Sequence, residues 1–234
     1  MTSTIETAIK SFLREGIKIL DVYESKKLLE KYGFPINKTF FVTSLEEAIE
    51  ISHKLRFPIV LKIVSSNILH KSDIGGVITN IRSVNELREA FTKLNQIKTL
   101  HPEIEIKGYL IEEMIEEGYE VVIGGLIDEQ FGPVVMFGSG GILVELYGDI
   151  SFALAPLSRK EAMELIKRTK CYKVLCGYRG YPRADISSLC NLIVNFSLFL
   201  EKYEDYIKEI DLNPVFVLRE NKGCKIVDAR IILR

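Results

Sequence analysis

The sequence predicts an α+β protein made of two subdomains. In the first hundred residues or so, helical and strand-like apolar patterns alternate, which is typical of a small α/β unit. After His101 and Pro102, β-rich runs follow one another with short breaks, which favours an antiparallel meander. We therefore divide the chain into an N-terminal helix, residues 1–20, and two subdomains, residues 21–108 and 109–234. With no linker visible, we expect the two halves to pack together with a cleft between them.

The elements of the first half have clear start and stop signals. Apolar residues at helical spacing predict helices over Thr4–Glu15 and Asp21–Tyr32, and Gly33 ends the second helix. Two Ser-x-x-Glu capping boxes predict the starts of two further helices. These boxes are Ser44 with Glu47 and Ser83 with Glu86, and the strands of this half are Thr39–Val42, a run beginning at Val60, and Val77–Ile81.

The second half reads as strands, one long helix and a final hairpin. The meander strands are Lys107–Met114, Tyr119–Ile127 and Pro133–Phe137, followed by a glycine-rich turn over Gly138–Gly141. A third capping box, Ser158 with Glu161, begins a helix, and Asp185–Leu200 carries a long apolar stripe. The closing hairpin pairs Lys208–Leu218 with Lys225–Leu233 around a turn at 221–223.

Composition excludes several functional classes. The chain has 234 residues, 47% hydrophobic and 27% charged, with a formal net charge of -1, so no global field draws it to nucleic acid or an anionic membrane. It has no signal-peptide pattern and no run of apolar residues long enough to span a bilayer. The four cysteines form no C-x-x-C pair. We therefore expect reduced thiols in a cytoplasmic protein.

The segment Val60–Gly76 carries an unusual lysine. Lys62 lies in an apolar run that reads as a buried strand, where an ammonium group is costly unless an anion compensates it. A phosphate is one such anion, and Gly75 and Gly76 allow the backbone to approach a polyphosphate closely. His70 lies in the loop between them. Taken alone, Lys62 also fits an edge or solvent-facing position, and His70 a solvated loop.

The final hairpin holds three oxygen-bearing side chains. Asp211 and Asn213 are two residues apart, so they share one face of a strand, and a turn near Asn221 brings Asp228 opposite Asn213. Such oxygen ligands are what Mg²⁺ takes when it shares its coordination with phosphate. The alternative is that Asp211 begins a loop, that Asn213 belongs to a turn, and that Asp228 pairs with a neighbour.

Glu113 and Glu120 lie seven residues apart across a turn at 117–118. This spacing suits two carboxylates at one edge of a nucleotide-sized slot, where a carboxylate accepts hydrogen bonds from ribose hydroxyls. The alternative is a solvated turn, because the same segment is crowded with glutamates. The Gly138–Gly141 turn fits neither the dinucleotide fingerprint nor the P-loop, so it predicts only a tight turn.

Five separated segments together resemble one known family. They are VLKIVSSNILHKSDIGGV, LIEEMIEEGYEVVIGG, FGPVVMFGSGGILVE, YRGYPRADI, and EIDLNPVFV followed by VDARIIL. In this order they resemble the β subunits of ADP-forming acetyl-CoA synthetases, within the nucleoside-diphosphate-forming acyl-CoA synthetases. The resemblance covers nearly the whole chain. It implies an ATP-grasp fold, in which two α+β subdomains hold MgATP.

The resemblance also implies roles for the nucleotide-facing residues. Lys62 would bind the phosphates of ATP, Glu113 and Met114 would lie at the adenine-binding hinge, and Glu120 would contact the ribose. The metal ligands would be Asp211, Asn213 and Asp228.

His70 would accept a phosphoryl group from a phosphohistidine on the partner and pass it to ADP. The partner implied by the family is a CoA-binding α subunit in an α₂β₂ assembly, with ATP or ADP and Mg²⁺ as cofactors. The predicted activity is the reversible conversion of acyl-CoA, ADP and phosphate to acid, ATP and CoA. Two alternatives stay open: a stand-alone ATP-grasp carboxylate–amine ligase, and a regulatory subunit that binds nucleotide without catalysis.

Overall fold

The computed structural model describes residues 2–65, 74–141 and 148–234. They form two compact units, a smaller one over Asn37–Glu116 and a larger one that combines Met1–Ile36 with Glu117–Arg234. This division differs from the predicted boundaries after residues 20 and 108. The first 36 residues belong with the C-terminal part of the chain, and the boundary at 108 falls inside a strand.

The described strands and helices are as follows, in chain order. The strands are β1 Ile19–Leu20, β2 Thr39–Val42, β3 Ile59–Ser65, β4 Val77–Ile81, β5 Ile106–Glu113, β6 Tyr119–Asp128, β7 Gly132–Ser139, β8 Ile150–Leu154, β9 Ile207–Val217, β10 Cys224–Ile226 and β11 Ala229–Leu233. The helices are Thr2–Arg14, Val22–Tyr32, Leu45–Ser52, Val84–Leu100, Arg159–Lys167, Cys171–Leu175 and Ile186–Lys202. None of these described helices is long and apolar enough to cross a bilayer.

The smaller unit is a four-stranded antiparallel sheet in the order β2-β5-β3-β4, with its two helices packed on one face. Both helices begin at the predicted serine caps, where Ser44 and Ser83 each accept the backbone N–H three residues later. The reciprocal bond differs from a standard capping box. The carboxylate of Glu47 accepts the N–H of Thr43, one residue before the cap, because the chain turns there before entering the helix.

The larger unit is built on a seven-stranded sheet in the order β1-β11-β9-β6-β7-β8, with β10 also paired to β9. The predicted long helix, observed as Ile186–Lys202, packs Phe196 and Phe199 into the core of this unit. The helix Arg159–Lys167 begins with the complete Ser158–Glu161 capping box, as predicted. These helices pack against the sheet of this unit. Of the candidate metal ligands, Asp211 and Asn213 lie on β9, and Asp228 directly precedes β11.

The predicted three-stranded meander is wrong in one pairing. β6 and β7 form the expected antiparallel hairpin, but β5 pairs with β2 and β3 in the smaller unit. β6 pairs instead with β9 on its other side. The short break before Gly118 suits a hairpin turn locally, yet here it carries the chain from one unit to the other. The strands β1 and β8 and the helix Cys171–Leu175 were not predicted.

All four cysteines are free. Burial raises the pKa of the Cys171 thiol to about 11 and that of Cys224 to about 12. Both are therefore protonated at neutral pH and poorly nucleophilic.

Candidate functional site

Lys62 occupies the middle of β3, a strand in which every residue is buried. The alternate residues Leu61 and Ile63 belong to the core under the helices, so the Lys62 side chain leaves the opposite face of the sheet. Its exposed fraction is 5%. The edge or solvent-facing interpretation of this lysine is therefore wrong.

The buried ammonium group of Lys62 has a carboxylate partner. Its Nζ lies 3.0 Å from Oε2 of Glu112, which is itself 0% exposed. The Thr39 hydroxyl lies 3.1 Å from the other oxygen, Oε1, and 3.0 Å from the carbonyl oxygen of Asn37, so these acceptors share its one hydrogen. We expected phosphate to compensate Lys62, and the structure shows that a resident carboxylate already does so. The solvated, glutamate-rich turn offered as an alternative for this segment does not apply to Glu112, which lies within the buried part of β5.

The predicted adenine-side residues lie where β5 ends. The Glu113 N–H donates to the carbonyl of Lys38 at 3.0 Å, and Oε1 of Glu113 accepts the Lys38 N–H at 2.9 Å. The side-chain amide of Asn37 donates to the Glu113 carbonyl at 3.2 Å, and the Met114 N–H donates to the carbonyl of Pro58 at 3.4 Å. These bonds fix the end of β5 against the segments that directly precede β2 and β3.

The glycine pair lies beside Lys62. Gly75 has a left-handed φ of +70°, and the carbonyl of Gly76 accepts the Ile63 N–H at 2.9 Å. The next residue, Val77, is the ladder partner of Lys62 on β4. The chain therefore passes close to the lysine here, while the approach of these glycines to a polyphosphate stays a prediction. His70 lies outside the described residues.

Glu120, in the larger unit, lies against the glycine-rich turn. The Gly140 N–H donates to the Glu120 carbonyl at 2.9 Å, and a Cβ atom at Gly140 would lie 2.6 Å from the Glu120 carbonyl carbon. Gly141 has a φ of +69°, and a Cβ atom there would lie 3.5 Å from Oε2 of Glu120. The turn therefore needs glycine so that it can pass directly over this glutamate. Glu120 itself is exposed.

The structure brings two of the three predicted metal ligands together. The Asn213 N–H donates to the Asp228 carbonyl at 3.2 Å, so the two residues are neighbours across the hairpin, as predicted. Asp211 lies two residues earlier within β9, opposite Arg230 on β11 and Gly124 on β6. It is a strand residue, which rules out the loop alternative.

A bulge in β9 sets the direction of these side chains. Ile210 and Leu212 are buried before the bulge and Val215 and Val217 after it, so the buried positions shift by one residue at 213–214. The register with β6 shifts at the same place. Asp211 is consequently half-buried and Asn213 exposed, on the side of the strand away from the core.

The donor set suits a magnesium ion that phosphate helps to bind. Two carboxylates and one amide offer oxygen ligands. Among the described residues, no group of three or more His, Cys, Asp or Glu side chains is placed to hold a metal ion by itself. A cation at Asp211, Asn213 and Asp228 would therefore need further oxygens from phosphate and water, which is the usual coordination of Mg²⁺ in nucleotide sites.

Comparison with known proteins agrees with this fold. Residues 11–233 match the family model of the ATP-grasp domain, so the protein is an ATP-grasp protein. It is 39% identical over 227 residues to the acetate–CoA ligase [ADP-forming] II subunit beta of Pyrococcus furiosus, which covers 97% of this chain and 96% of that subunit. The chain belongs to the family of ADP-forming acetate–CoA ligase β subunits.

Two further relatives show the range of the family. The chain is 42% identical over 211 residues to acetate–CoA ligase [ADP-forming] II of Archaeoglobus fulgidus, matching 90% of this chain but only 30% of that longer protein. A solved structure of the dinucleotide-forming acetyl-coenzyme A synthetase 1 of Ca. Korarchaeum cryptofilum superposes with a TM-score of 0.84 at 40% identity, over 98% of this chain and 100% of that one. That structure holds coenzyme A and Mg-AMPPCP, with a phosphohistidine segment pointing towards the nucleotide binding site.

Proposed function

We propose that this chain is the ATP-grasp β subunit of a heteromeric ADP-forming acyl-CoA synthetase. It would transfer a phosphoryl group between a phosphohistidine and ADP, so that acyl-CoA, ADP and phosphate give acid, ATP and CoA reversibly. The observation that carries the proposal is the match to a separate β subunit over 97% of this chain and 96% of that subunit. Acetate is the acid named for that relative.

The same match supports a partner. A chain that aligns with nearly all of a subunit named beta is expected to work with an α subunit, which would bind CoA and carry the first phosphohistidine. We propose an α₂β₂ assembly. The long Archaeoglobus relative, of which this chain matches 30%, has room for both parts in one polypeptide.

The chain's own side chains would position the nucleotide. The Lys62 ammonium group would bind its phosphates, Glu113 and Met114 would lie at the adenine, and Glu120 would accept hydrogen bonds from the ribose. Asp211, Asn213 and Asp228 would hold Mg²⁺ through their side-chain oxygens. When bound, the metal ion neutralises negative charge on the phosphate oxygens.

His70 would act as the phosphoryl carrier. A neutral imidazole, with an unperturbed pKa of about 6.5, is a competent nucleophile near neutral pH. A ring nitrogen of His70 would form a bond to the phosphorus of the partner's phosphohistidine while the bond to the partner's nitrogen breaks. A terminal oxygen of ADP would then attack that phosphorus, and the bond to His70 would break, giving ATP and the free imidazole.

The variant His70→Ala, assembled with the α subunit, tests the proposal. We expect it to abolish the complete reaction and to leave MgATP binding intact, because the carrier is lost and the nucleotide ligands remain. Acid-labile, base-stable labelling from γ-labelled ATP should disappear as well. The matched control is His53→Ala, which removes an exposed histidine and should change neither measurement. Wild-type turnover by the His70→Ala assembly would refute the carrier role.

A further inference from the structure

The buried pair of Lys62 and Glu112 bears on how nucleotide is held. The two residues lie on the adjacent antiparallel strands β3 and β5, where Lys62 is opposite Leu110 and Glu112 is opposite Val60. They are therefore diagonal neighbours on one face of the sheet, a spacing that long side chains bridge. The resulting distance of 3.0 Å between Nζ and Oε2 is that of a direct ion pair.

Burial makes this pair sensitive to any third charge. Lys62 is 5% exposed and Glu112 is 0% exposed, so water and salt screen the two charges poorly. A buried ion pair contributes little net stability, since desolvation of both groups offsets their attraction. Removing one member, however, leaves the other charge under-compensated.

Glu112 is held from its other side. Thr39 is the ladder partner of Glu112 on β2, and its hydroxyl group lies 3.1 Å from Oε1. The Asn37 carbonyl shares the Thr39 hydrogen at 3.0 Å. The carboxylate still lies between this hydroxyl and the lysine, and the contact limits its retreat when a second anion arrives.

We propose that Glu112 is the resident counter-ion of Lys62 and that nucleotide phosphate competes with this carboxylate for the lysine. The inference rests on the proposed phosphate-binding role of Lys62. A phosphate drawn to Lys62 also meets the negative charge of Glu112, and like charges in a poorly screened site repel. Glu112 therefore lowers nucleotide affinity and favours release, while it stabilises Lys62 in the nucleotide-free protein. It is a positioning residue for Lys62.

The test measures MgADP and adenosine binding to the full chain by calorimetry, together with melting temperatures. In Glu112→Gln, which keeps the shape of the side chain and removes its charge, we expect MgADP to bind at least about threefold more tightly because the competing charge is gone. The nucleotide-free protein should melt at a lower temperature, and the rise caused by MgADP should exceed that of the wild type. Adenosine, which has no phosphate, should bind unchanged. Glu89→Gln removes the same charge from an exposed position on the helix Val84–Leu100 and serves as the control.

A second variant keeps the proposal testable if Glu112→Gln does not fold. Thr39→Val retains both charges but removes the hydroxyl that limits the retreat of Glu112, so the carboxylate should yield more readily to phosphate and MgADP should bind more tightly. MgADP affinity that is unchanged or weaker in Glu112→Gln or in Thr39→Val would overturn the proposal. Lys62→Met separates the two levels of inference: if it binds MgADP as tightly as the wild type, the phosphate-binding role of Lys62 itself is wrong.

Discussion

Individual residues of the candidate site are constrained by how closely backbone segments approach one another, and Gly140 is the clearest case. Its N–H bonds the carbonyl of Glu120, and there is no space for a side chain between the two segments. The reason for a glycine here is steric and not conformational, because Gly140 is not among the glycines with a positive φ. A residue that the sequence marks only as part of a tight turn therefore fixes the position of Glu120.

Gly140→Ala should destabilise the protein by about 1–3 kcal/mol, because the new methyl group must displace the backbone of Glu120. If Glu120 contacts the ribose, nucleotide affinity should fall too. Urea unfolding and calorimetric titration with MgATP measure the two effects. Gly132→Ala is a useful comparison, since that position has open space and a φ of +74°, so it should show backbone strain alone and leave nucleotide binding unchanged. A Gly140→Ala protein as stable as the wild type would contradict the steric argument.

Among the elements, the helix Ile186–Lys202 is tied to the hairpin of β9 and β10 through one carboxylate. Asp185 caps the helix: Oδ1 accepts the Ser188 N–H at 3.0 Å, and Oδ2 accepts the Gly223 N–H in the hairpin turn at 2.9 Å. Burial of Asp185 acts to raise its pKa, but the hydrogen bonds from Ser188 and Gly223 outweigh it, and the pKa lies below its usual value. The ionised carboxylate thus joins helix and hairpin more strongly than the protonated carboxyl group would.

This pKa shift predicts a pH-dependent contribution to stability. A carboxyl group with a lowered pKa in the folded state stabilises the fold above its unfolded pKa of about 3.9, and that stability is lost as the pH falls through the folded pKa. Asp185→Asn replaces one oxygen acceptor by an amide group. It should therefore lower the free energy of unfolding by about 1–3 kcal/mol at pH 7 and by less at pH 3. Urea unfolding of both proteins at the two pH values measures this. Asp205→Asn changes an exposed aspartate and should show no such difference. An equal cost at pH 7 and pH 3 would rule out the ionised cap.

At the scale of the whole molecule, the proposed function depends on which subunit binds nucleotide and which binds CoA. The family match covers an ATP-grasp domain, and the sequence contains no dinucleotide fingerprint of the kind we would expect for CoA. At one edge of the sheet in the larger unit, Ile19 of β1 pairs with Ile232 of β11.

We therefore expect the isolated chain to bind MgATP but to form no acyl-CoA. Addition of a CoA-binding α subunit should restore the reaction, and light scattering should give the mass of two chains of each kind. Acetyl-CoA formation from acetate, ATP and CoA provides the activity measurement. The α subunit alone is the control and should be inactive as well. Acyl-CoA made by this chain alone would contradict the division of function proposed above.

Local patterns in the sequence were sufficient to predict much of the fold. Serine caps at Ser44, Ser83 and Ser158 and the hairpin that sets Asn213 beside Asp228 depend on residues close together in the chain, so spacing alone specifies them. The ATP-grasp fold came from the resemblance of five segments and is confirmed. The roles assigned to the individual site residues stay predictions.

Only the tertiary structure decided which distant segments meet. The sequence predicted a buried charge at Lys62, but its partner Glu112 lies fifty residues later on a strand whose neighbours were assigned wrongly. The sequence also did not predict that residues 1–36 belong to the larger unit, or that Gly140 contacts Glu120. Local spacing determines where a strand or cap begins, whereas strand pairing depends on how whole surfaces fit together, and that fit is settled only when the chain packs.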